Sequence, residues 1–153
     1  LLEALVCAHA MAERIGRGDE KRAFPGPAIP DWRYGDAVHS DEAIVVEHNW
    51  NEVRTCMWDY VGIVRTDKRL DRALRRICNL RREIRQYYWE YLVTADTLEL
   101  RNIADVAELI VRSALMRKES RGLHYTLDHP ELDGSGSPRH TVIVDKAGDH
   151  IER

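Results

Sequence analysis

Residues 66–91 read TDKRLDRALRRICNLRREIRQYYWEY, and the spacing of the apolar residues in this stretch decides the fold. They recur in alternate steps of three and four, which place them on one face of an α-helix: Leu70, Ala73, Ile77, Leu80, Ile84, Tyr87 and Tyr91. Thr66 can cap the start of that helix, and Asp67 in the first turn suits the positive end of the helix dipole. We therefore predict a long amphipathic helix with one buried face.

The segments on either side carry the same spacing. Upstream, a helix begins near Ser40 with the stripe Val46, Trp50, Val53, Met57, Tyr60 and Val64. Downstream, Thr94 opens a helix that Arg121 and Gly122 close, with the stripe Leu100, Ile103, Ala107, Ile110 and Ala114. Only a residue or two separates the first two helices, so they must run antiparallel. The pattern predicts an all-α fold, an antiparallel three-helix bundle resembling a spectrin repeat, over residues 41–132.

The centre of each stripe is expected to lie in the core of this bundle. Ile77 and Ile110 are such central positions, and we expect an aspartate at either one to unfold the bundle. Val106, Leu109 and Val111 widen the apolar face of the third helix.

Three further segments surround the bundle. Helical spacing predicts a short N-terminal helix over residues 1–18, and the prolines at 25, 27 and 30 predict an extended connector over residues 19–40. Residues 133–153, which include GSGSP, predict an irregular and flexible C-terminal tail. Because no residue precedes Leu1 to cap the first helix, we expect the chain to be a piece of a longer protein.

Composition and motifs exclude several classes of protein. A length of 153 residues is typical of one globular domain. The chain carries 23 Lys and Arg against 26 Asp and Glu, which gives a net charge of −3. No apolar run approaches the roughly 20 residues of a membrane span, so no membrane segment is predicted. The three cysteines form no CxxC pair, which predicts reduced core thiols and a cytoplasmic location. Without GxGxxG, GxxxxGK[ST], HExxH or GxSxG, the chain is predicted to hold no nucleotide-binding loop.

Two polar features leave alternatives open. Residues 65–85 hold nine basic and three acidic residues, so a stand-alone module that binds an anion, RNA or a protein is one alternative. The chain is acidic overall, which favours a solvated or domain-docking face and no nucleic-acid binding. The segment MRKESRGLHYTLDHPE (116–131) is either a site or a capped end that docks on another domain. Its His124 and His129 fit no zinc spacing, so no metal site is predicted.

Three stretches resemble the C-terminal part of the bacterial L-aspartate oxidase family. They are the opening LLEALV, HNWNEVRTCMWDYVGIVRTDKRL (48–70) and LELRNIADVAELIVRSALMRKESRGLHYTLDHPE (98–131). That family lies within the succinate dehydrogenase and fumarate reductase flavoprotein superfamily. The turn at Arg121, Gly122, Leu123 and His124 looks like the oxidase branch, because the wider superfamily usually has RGAH at this point.

The resemblance implies an FAD-dependent enzyme that oxidises L-aspartate to iminoaspartate, with oxygen or fumarate as acceptor, in NAD biosynthesis through quinolinate. The bundle would be an accessory domain, inactive alone and packed on the FAD-binding domain of the same polypeptide, to whose end residues 1–18 would belong. Quinolinate synthase, which consumes the product, would be a second partner. By the same resemblance, Leu1 is the one cofactor-binding residue, as the second member of a Ser-Leu pair against the flavin. A succinate dehydrogenase or fumarate reductase subunit is the remaining alternative.

Overall fold

The computed structural model of the chain describes residues 2–18, 30–40, 43–134 and 139–144. The chain divides into two units, residues 1–33 and 34–153. The first unit contains helix α1 (Leu2–Gly16), in which Leu5, Val6 and Ile15 are each at least 65% exposed. Its Cys7 is also exposed, so the prediction that all three cysteines are core thiols is wrong.

The second unit is a bundle of three helices. These are α2 (Ala43–Tyr60), α3 (Asp67–Glu90) and α4 (Ala95–Met116), and each packs against the other two. Two short strands, β1 (Val64–Arg65) and β2 (Tyr125–Thr126), pair in parallel beside the helices. Only residues 91–94 join α3 to α4, and this short connection makes the two helices antiparallel. The predicted all-α fold class is confirmed.

Side-chain caps begin α3 and α4 where the sequence predicts. The Thr66 hydroxyl accepts a hydrogen bond from the Arg69 N–H at 3.2 Å. In α4, the Thr94 hydroxyl accepts from the Thr97 N–H at 3.2 Å, and the Thr97 hydroxyl accepts from the Thr94 N–H at 2.9 Å. Each cap satisfies backbone donors that lack a helical partner, and losing one costs about 1 kcal/mol.

The core lies where α3 meets α4. On α3, Leu70, Ala73 and Ile77 are fully buried. On α4, the large residues Leu100 and Val111 are buried. Three small residues on the same face are buried with them: Ala104, Ala107 and Ala114. Because alanine adds little side-chain bulk, α4 can approach α3 closely along this face.

The buried face of α4 differs from the predicted stripe by one residue at two positions. Ala104 and Val111 are buried, whereas Ile103 is only partly buried and Ile110 is 42% exposed. Apolar residues occur on two sides of this helix, so the three-and-four spacing fits either side. The side with alanines packs inward because it allows the closer helix contact. On α3, Tyr88 rather than Tyr87 is buried, at 7% exposure.

Two helix ends also differ from the prediction. Residues 61–66 separate α2 from α3, and Val64 lies in β1 rather than on the α2 stripe. Helix α4 ends at Met116, before the predicted Arg121 and Gly122. Gly122 does adopt the left-handed conformation, with φ of 60°, but in a tight turn where the Arg121 N–H donates to the His124 carbonyl at 2.8 Å. The polar groups after Met116 bond to β1 and to one another, and this ends the helix.

Ile77→Asp and Ile110→Asp are expected to behave differently. Ile77 is fully buried, and an unpaired charge there costs several kcal/mol, a large part of the stability of a small domain. Ile110 is 42% exposed, so its aspartate stays solvated in this chain. Circular dichroism during heating of the 153-residue chain should show no cooperative transition for Ile77→Asp and a near wild-type transition for Ile110→Asp. Equal behaviour of the two variants would contradict this assignment of the α4 faces.

Candidate functional site

The arginines of α3 contact other parts of the bundle at several points. Arg81 bonds the Asp105 carboxylate through Nε and Glu108 Oε2 through Nη1, the latter at 2.7 Å. Arg72 and Arg76 lie over the Tyr60 ring, at 5.9 and 5.5 Å from its centroid. These contacts join α3 to α4 and to α2. They favour a structural use of the basic stretch 65–85 over an open anion-binding face.

The segment after α4 folds back over the start of α3, and we call residues 117–133 the cap. It contains β2, in which Tyr125 and Thr126 pair with Val64 and Arg65 of β1. The Leu127 N–H adds a hydrogen bond to the Arg65 carbonyl at 2.9 Å. Because so short a strand pair is unstable alone, side-chain contacts must hold the cap in place.

Asp67, in the first turn of α3, is one anchor of the cap. Its carboxylate lies 2.7 Å from Lys118 Nζ and 3.4 Å from His129 Nε2. Its backbone N–H donates to Asp128 Oδ2 at 2.6 Å, so a carboxylate of the cap also meets the positive end of the α3 dipole. The hydrogen bond from Lys118, with a smaller contribution from His129, lowers the pKa of Asp67.

Glu119 is the second anchor, and it lies within the cap. Its side chain is buried, and its oxygens accept from Arg117 Nη1 at 2.7 Å, from Arg121 Nε at 3.1 Å and from the Asp133 N–H at 3.0 Å. The hydrogen bond from Arg121, followed by that from the Asp133 amide, lowers the pKa of this carboxyl. Ser120 also connects parts of the cap, because its hydroxyl accepts a hydrogen bond from the Thr126 N–H at 3.0 Å and donates one to the His129 carbonyl at 2.8 Å.

His124 joins the cap to β1 as a neutral imidazole. Arg65 Nη1 lies 2.8 Å from His124 Nδ1, and an arginine can only donate, so Nδ1 is the acceptor. The other ring nitrogen, Nε2, then carries the proton and donates to the Arg117 carbonyl at 3.2 Å. Burial, together with the charges of Arg65 and Arg117, lowers the pKa of His124. Geometry and electrostatics both favour the uncharged ring.

A cleft of about 350 Å³ lies between the cap and the outer face of α4. Its walls combine apolar residues of α4 with polar residues of β1 and the cap. The cationic residues in the wall are Arg65 and Arg117, and no acidic residue of the described ranges lines it. We call this cleft the cap pocket.

An apolar strip on α4 borders the cap pocket. Val106, Leu109 and Ile110 are 53%, 49% and 42% exposed, and we call them the α4 strip. Val106 and Ile110 also line a second cleft, of about 520 Å³, whose other walls include Trp50 and Met57 of α2. The strip therefore joins two clefts into one apolar surface. Contiguous exposed apolar surface of this kind marks an interaction site.

A further cleft, of about 730 Å³, lies at the other end of the bundle. It is lined by the start of α2, the end of α3 and the start of α4, and it includes Trp50, Tyr87 and Leu92. Arg54 lies in the same wall as the acidic Asp96 and Glu99. Its mixed lining differs from that of the cap pocket, whose described charged residues are both basic.

The structure separates the residues that the sequence singled out. His124 bonds Arg65 while His129 contacts Asp67, so the two histidines do not share one ligand position. Within the described ranges, no group of three His, Cys, Asp or Glu side chains could hold a metal ion. None of the described helices is both long and apolar enough to cross a membrane. Leu1, the predicted cofactor-binding residue, lies outside the described residues.

The described residues do not fit FAD as a set. The glycines with positive φ are Gly18, Gly35 and Gly122, and they lie in separate turns. A dinucleotide phosphate loop needs several glycines within one strand-to-helix turn.

The bonds that join Arg65 to His124 and Asp67 to Lys118 were not predicted from the sequence. The polar density of residues 116–131 was the signal that pointed to this region.

A helical bundle with a polar cap and an exposed apolar strip is typical of an accessory domain that packs on a larger protein. Residues 50–152 match the profile of the fumarate reductase flavoprotein C-terminal family, and the chain belongs to that family. It is similar to the L-aspartate oxidase of Yersinia pestis, with 56% identity over 143 residues, which are 94% of this chain and 26% of that protein. The L-aspartate oxidase of Acinetobacter baylyi is 53% identical over 87% of this chain and 24% of its own length.

More distant relatives extend the similarity. A chloroplastic L-aspartate oxidase of Nicotiana tabacum, form 2-b, is 38% identical over 88% of this chain and 23% of that protein. The solved structure of Mycobacterium smegmatis Sdh1 in complex with UQ1 contains a chain that matches 63% of this one, at 29% identity and a TM-score of 0.50, over 17% of its own length. The chain spans about a quarter of the length of the L-aspartate oxidases it matches.

The neutral state of His124 predicts that acid loosens the cap. Because its pKa is lower in the folded chain than the usual value near 6.5, the unfolded chain binds more protons as the pH falls below that value. The stabilisation is complete above about pH 6.5 and is lost as the pH falls through the folded pKa. Amide hydrogen exchange of residues 125–127, corrected for intrinsic rates, should show lower protection at pH 5.5 than at pH 7.5.

The matched control is His124→Gln, whose amide does not titrate in this range. Both proteins carry His129→Gln as well, because that histidine contacts the charged Asp67. The pH dependence of protection should shrink markedly in the variant that lacks His124. An equal pH dependence with and without His124 would show that this ring does not control the cap.

Proposed function

We propose that this chain is the C-terminal accessory domain of an FAD-dependent L-aspartate oxidase. The observation that carries the proposal is 46–56% identity to bacterial proteins of that name over most of the chain. In the parent protein, L-aspartate loses two electrons and two protons to give iminoaspartate, and oxygen gains them to give hydrogen peroxide. Fumarate can replace oxygen as the acceptor. This reaction opens the route to NAD through quinolinate.

The proposed role of the chain is structural. FAD supplies the hydride acceptor in the parent protein and would be held by residues outside those described here. We propose that the bundle packs on the FAD-binding domain and that residues 1–18 form the end of that domain, with Leu1 against the flavin. The exposed α4 strip supports a packing role, because the part of the chain that the structure describes leaves it uncovered. The fragment alone is expected to have no activity.

The alternatives are less well supported. A succinate dehydrogenase or fumarate reductase subunit would share the family, but the identity to Mycobacterium smegmatis Sdh1 is 29%, against 56% to the Yersinia pestis oxidase. A stand-alone anion-binding module is less well supported because three arginines of α3, Arg72, Arg76 and Arg81, already contact Tyr60, Asp105 or Glu108. A cytoplasmic location and quinolinate synthase as partner remain part of the proposal.

The experiment uses the full-length parent protein, purified with its flavin. Under anaerobic conditions, L-aspartate should bleach the flavin absorbance and succinate should not. The isolated 153-residue chain serves as the control and should retain no FAD after gel filtration. Bleaching by succinate alone, or a full-length protein that binds no flavin, would contradict the proposed function.

A further inference from the structure

The cap pocket contains a partly buried cation with no described counter-charge. Arg65 Nε donates to the carbonyls of Val61 and Gly62, at 3.3 and 3.0 Å, and Nη1 donates to the neutral ring of His124. All three partners are uncharged. No carboxylate of the described residues lies within 4.0 Å of this guanidinium, and its Nη2 makes no hydrogen bond to them. Removing a guanidinium from water is costly unless an anion pairs with it, and burial lowers the pKa of Arg65.

The second arginine of the cap pocket adds to this positive charge. Arg117 bonds Glu119, but the same carboxylate also accepts from Arg121. One acid therefore serves two arginines, and neither Glu119 nor any other acid that the structure describes is in the wall of the cap pocket. The charged residues described in the wall of the cap pocket, Arg65 and Arg117, are both positive, although the whole chain has a net charge of −3.

The α4 strip lies directly beside this positive pocket. Leu109 and Ile110 form part of the cap pocket wall, and the apolar surface continues from them toward α2. The combined surface is therefore complementary to a carboxylate flanked by apolar side chains. Two copies of this chain that met through the same surface would bring like charges together, so the charge pattern opposes self-association here.

We propose that an aspartate or glutamate from the part of the parent polypeptide outside this chain enters the cap pocket and pairs with Arg65. Apolar residues of the same part cover the α4 strip. This inference rests on the proposed function in one respect, the presence of the rest of a flavoprotein in the same polypeptide. The chain spans 26% of the Yersinia pestis relative, so a much larger part remains to supply the occupant. Arg65 thereby acts as the charged contact of the domain interface.

Zero-length cross-linking of the full-length protein can identify the paired acid. Arg65→Lys places a primary amine in the cap pocket, and a carbodiimide joins an amine to a carboxylate that it contacts directly. Peptide mass spectrometry should then find a link from position 65 to an aspartate or glutamate outside residues 1–153. The link between Lys118 and Asp67, whose atoms are 2.7 Å apart, provides an internal control for the reaction and for the folded cap.

The matched control variant is Arg75→Lys, which changes an exposed arginine on α3. It should give no link to the outside part. A link from position 65 to an acid of this chain or of a second copy would overturn the proposal. So would the absence of any link at position 65 while the Lys118–Asp67 link forms.

A photo-crosslinking residue at Leu109 gives a second readout that leaves Arg65 intact. Irradiation of the full-length protein should join position 109 to the outside part, whereas the same residue at Trp58, which is 85% exposed, should not. Equal yields at the two positions would contradict the assignment of the α4 strip. Both mass-spectrometric readouts are independent of L-aspartate oxidation, so a parent protein with another substrate would overturn the proposed function and leave this interface unchanged.

Discussion

The close packing of α4 on α3 is the contact on which the rest of the structure depends. Ala104, Ala107 and Ala114 bring the two helix backbones together, and Val111 fills the core between them. A helix that buries this face must turn the opposite face outward, and on α4 the opposite face contains Val106, Leu109 and Ile110. The exposed strip is therefore a geometric consequence of the core.

The same packing places the end of α4 beside the start of α3, where the cap forms. Three charged or polar joints hold it there: Asp67 with Lys118, Glu119 with two arginines, and His124 with Arg65. The first and third joints connect segments far apart in the sequence, so they fix the course of the chain after α4. The cap in turn forms one wall of a pocket whose other wall is the α4 strip. Polar and apolar residues thus form one continuous surface.

Local signals in the sequence were sufficient to predict much of this fold. The stripe of α3 has one apolar side, and Thr66 and Thr94 cap helices through bonds to residues three positions away. The inward face of α4 was not predictable in the same way, because Ile103 and Ala104 fit equally periodic stripes and only contact with α3 distinguishes them. The β1–β2 pairing and the neutral His124 depend on partners about 60 positions away, Arg65 among them. The periodicity of apolar residues within one segment cannot predict contacts with residues so far away in the sequence.

The similarity to L-aspartate oxidases and the surface of the bundle both support a domain that belongs to a larger protein. Family membership identifies the chain as a flavoprotein C-terminal domain, and the interface proposed above lies on the face where the α4 strip adjoins the positively charged cap pocket. Under the proposed function, such a domain supports the catalytic part of the enzyme, and its core, its cap and one surface constrain its sequence.

Hydroxyl-radical footprinting of side chains tests this account most directly, because it reports solvent access residue by residue. The full-length protein is compared with the 153-residue chain, and rates are corrected for the intrinsic reactivity of each side chain. The account predicts that Leu109 and Ile110 react several-fold more slowly in the full-length protein, while Trp58 and Trp89, which are 85% and 72% exposed, react equally in both. Equal reactivity of Leu109 and Ile110 in the two proteins would contradict the claim that this face receives the rest of the flavoprotein.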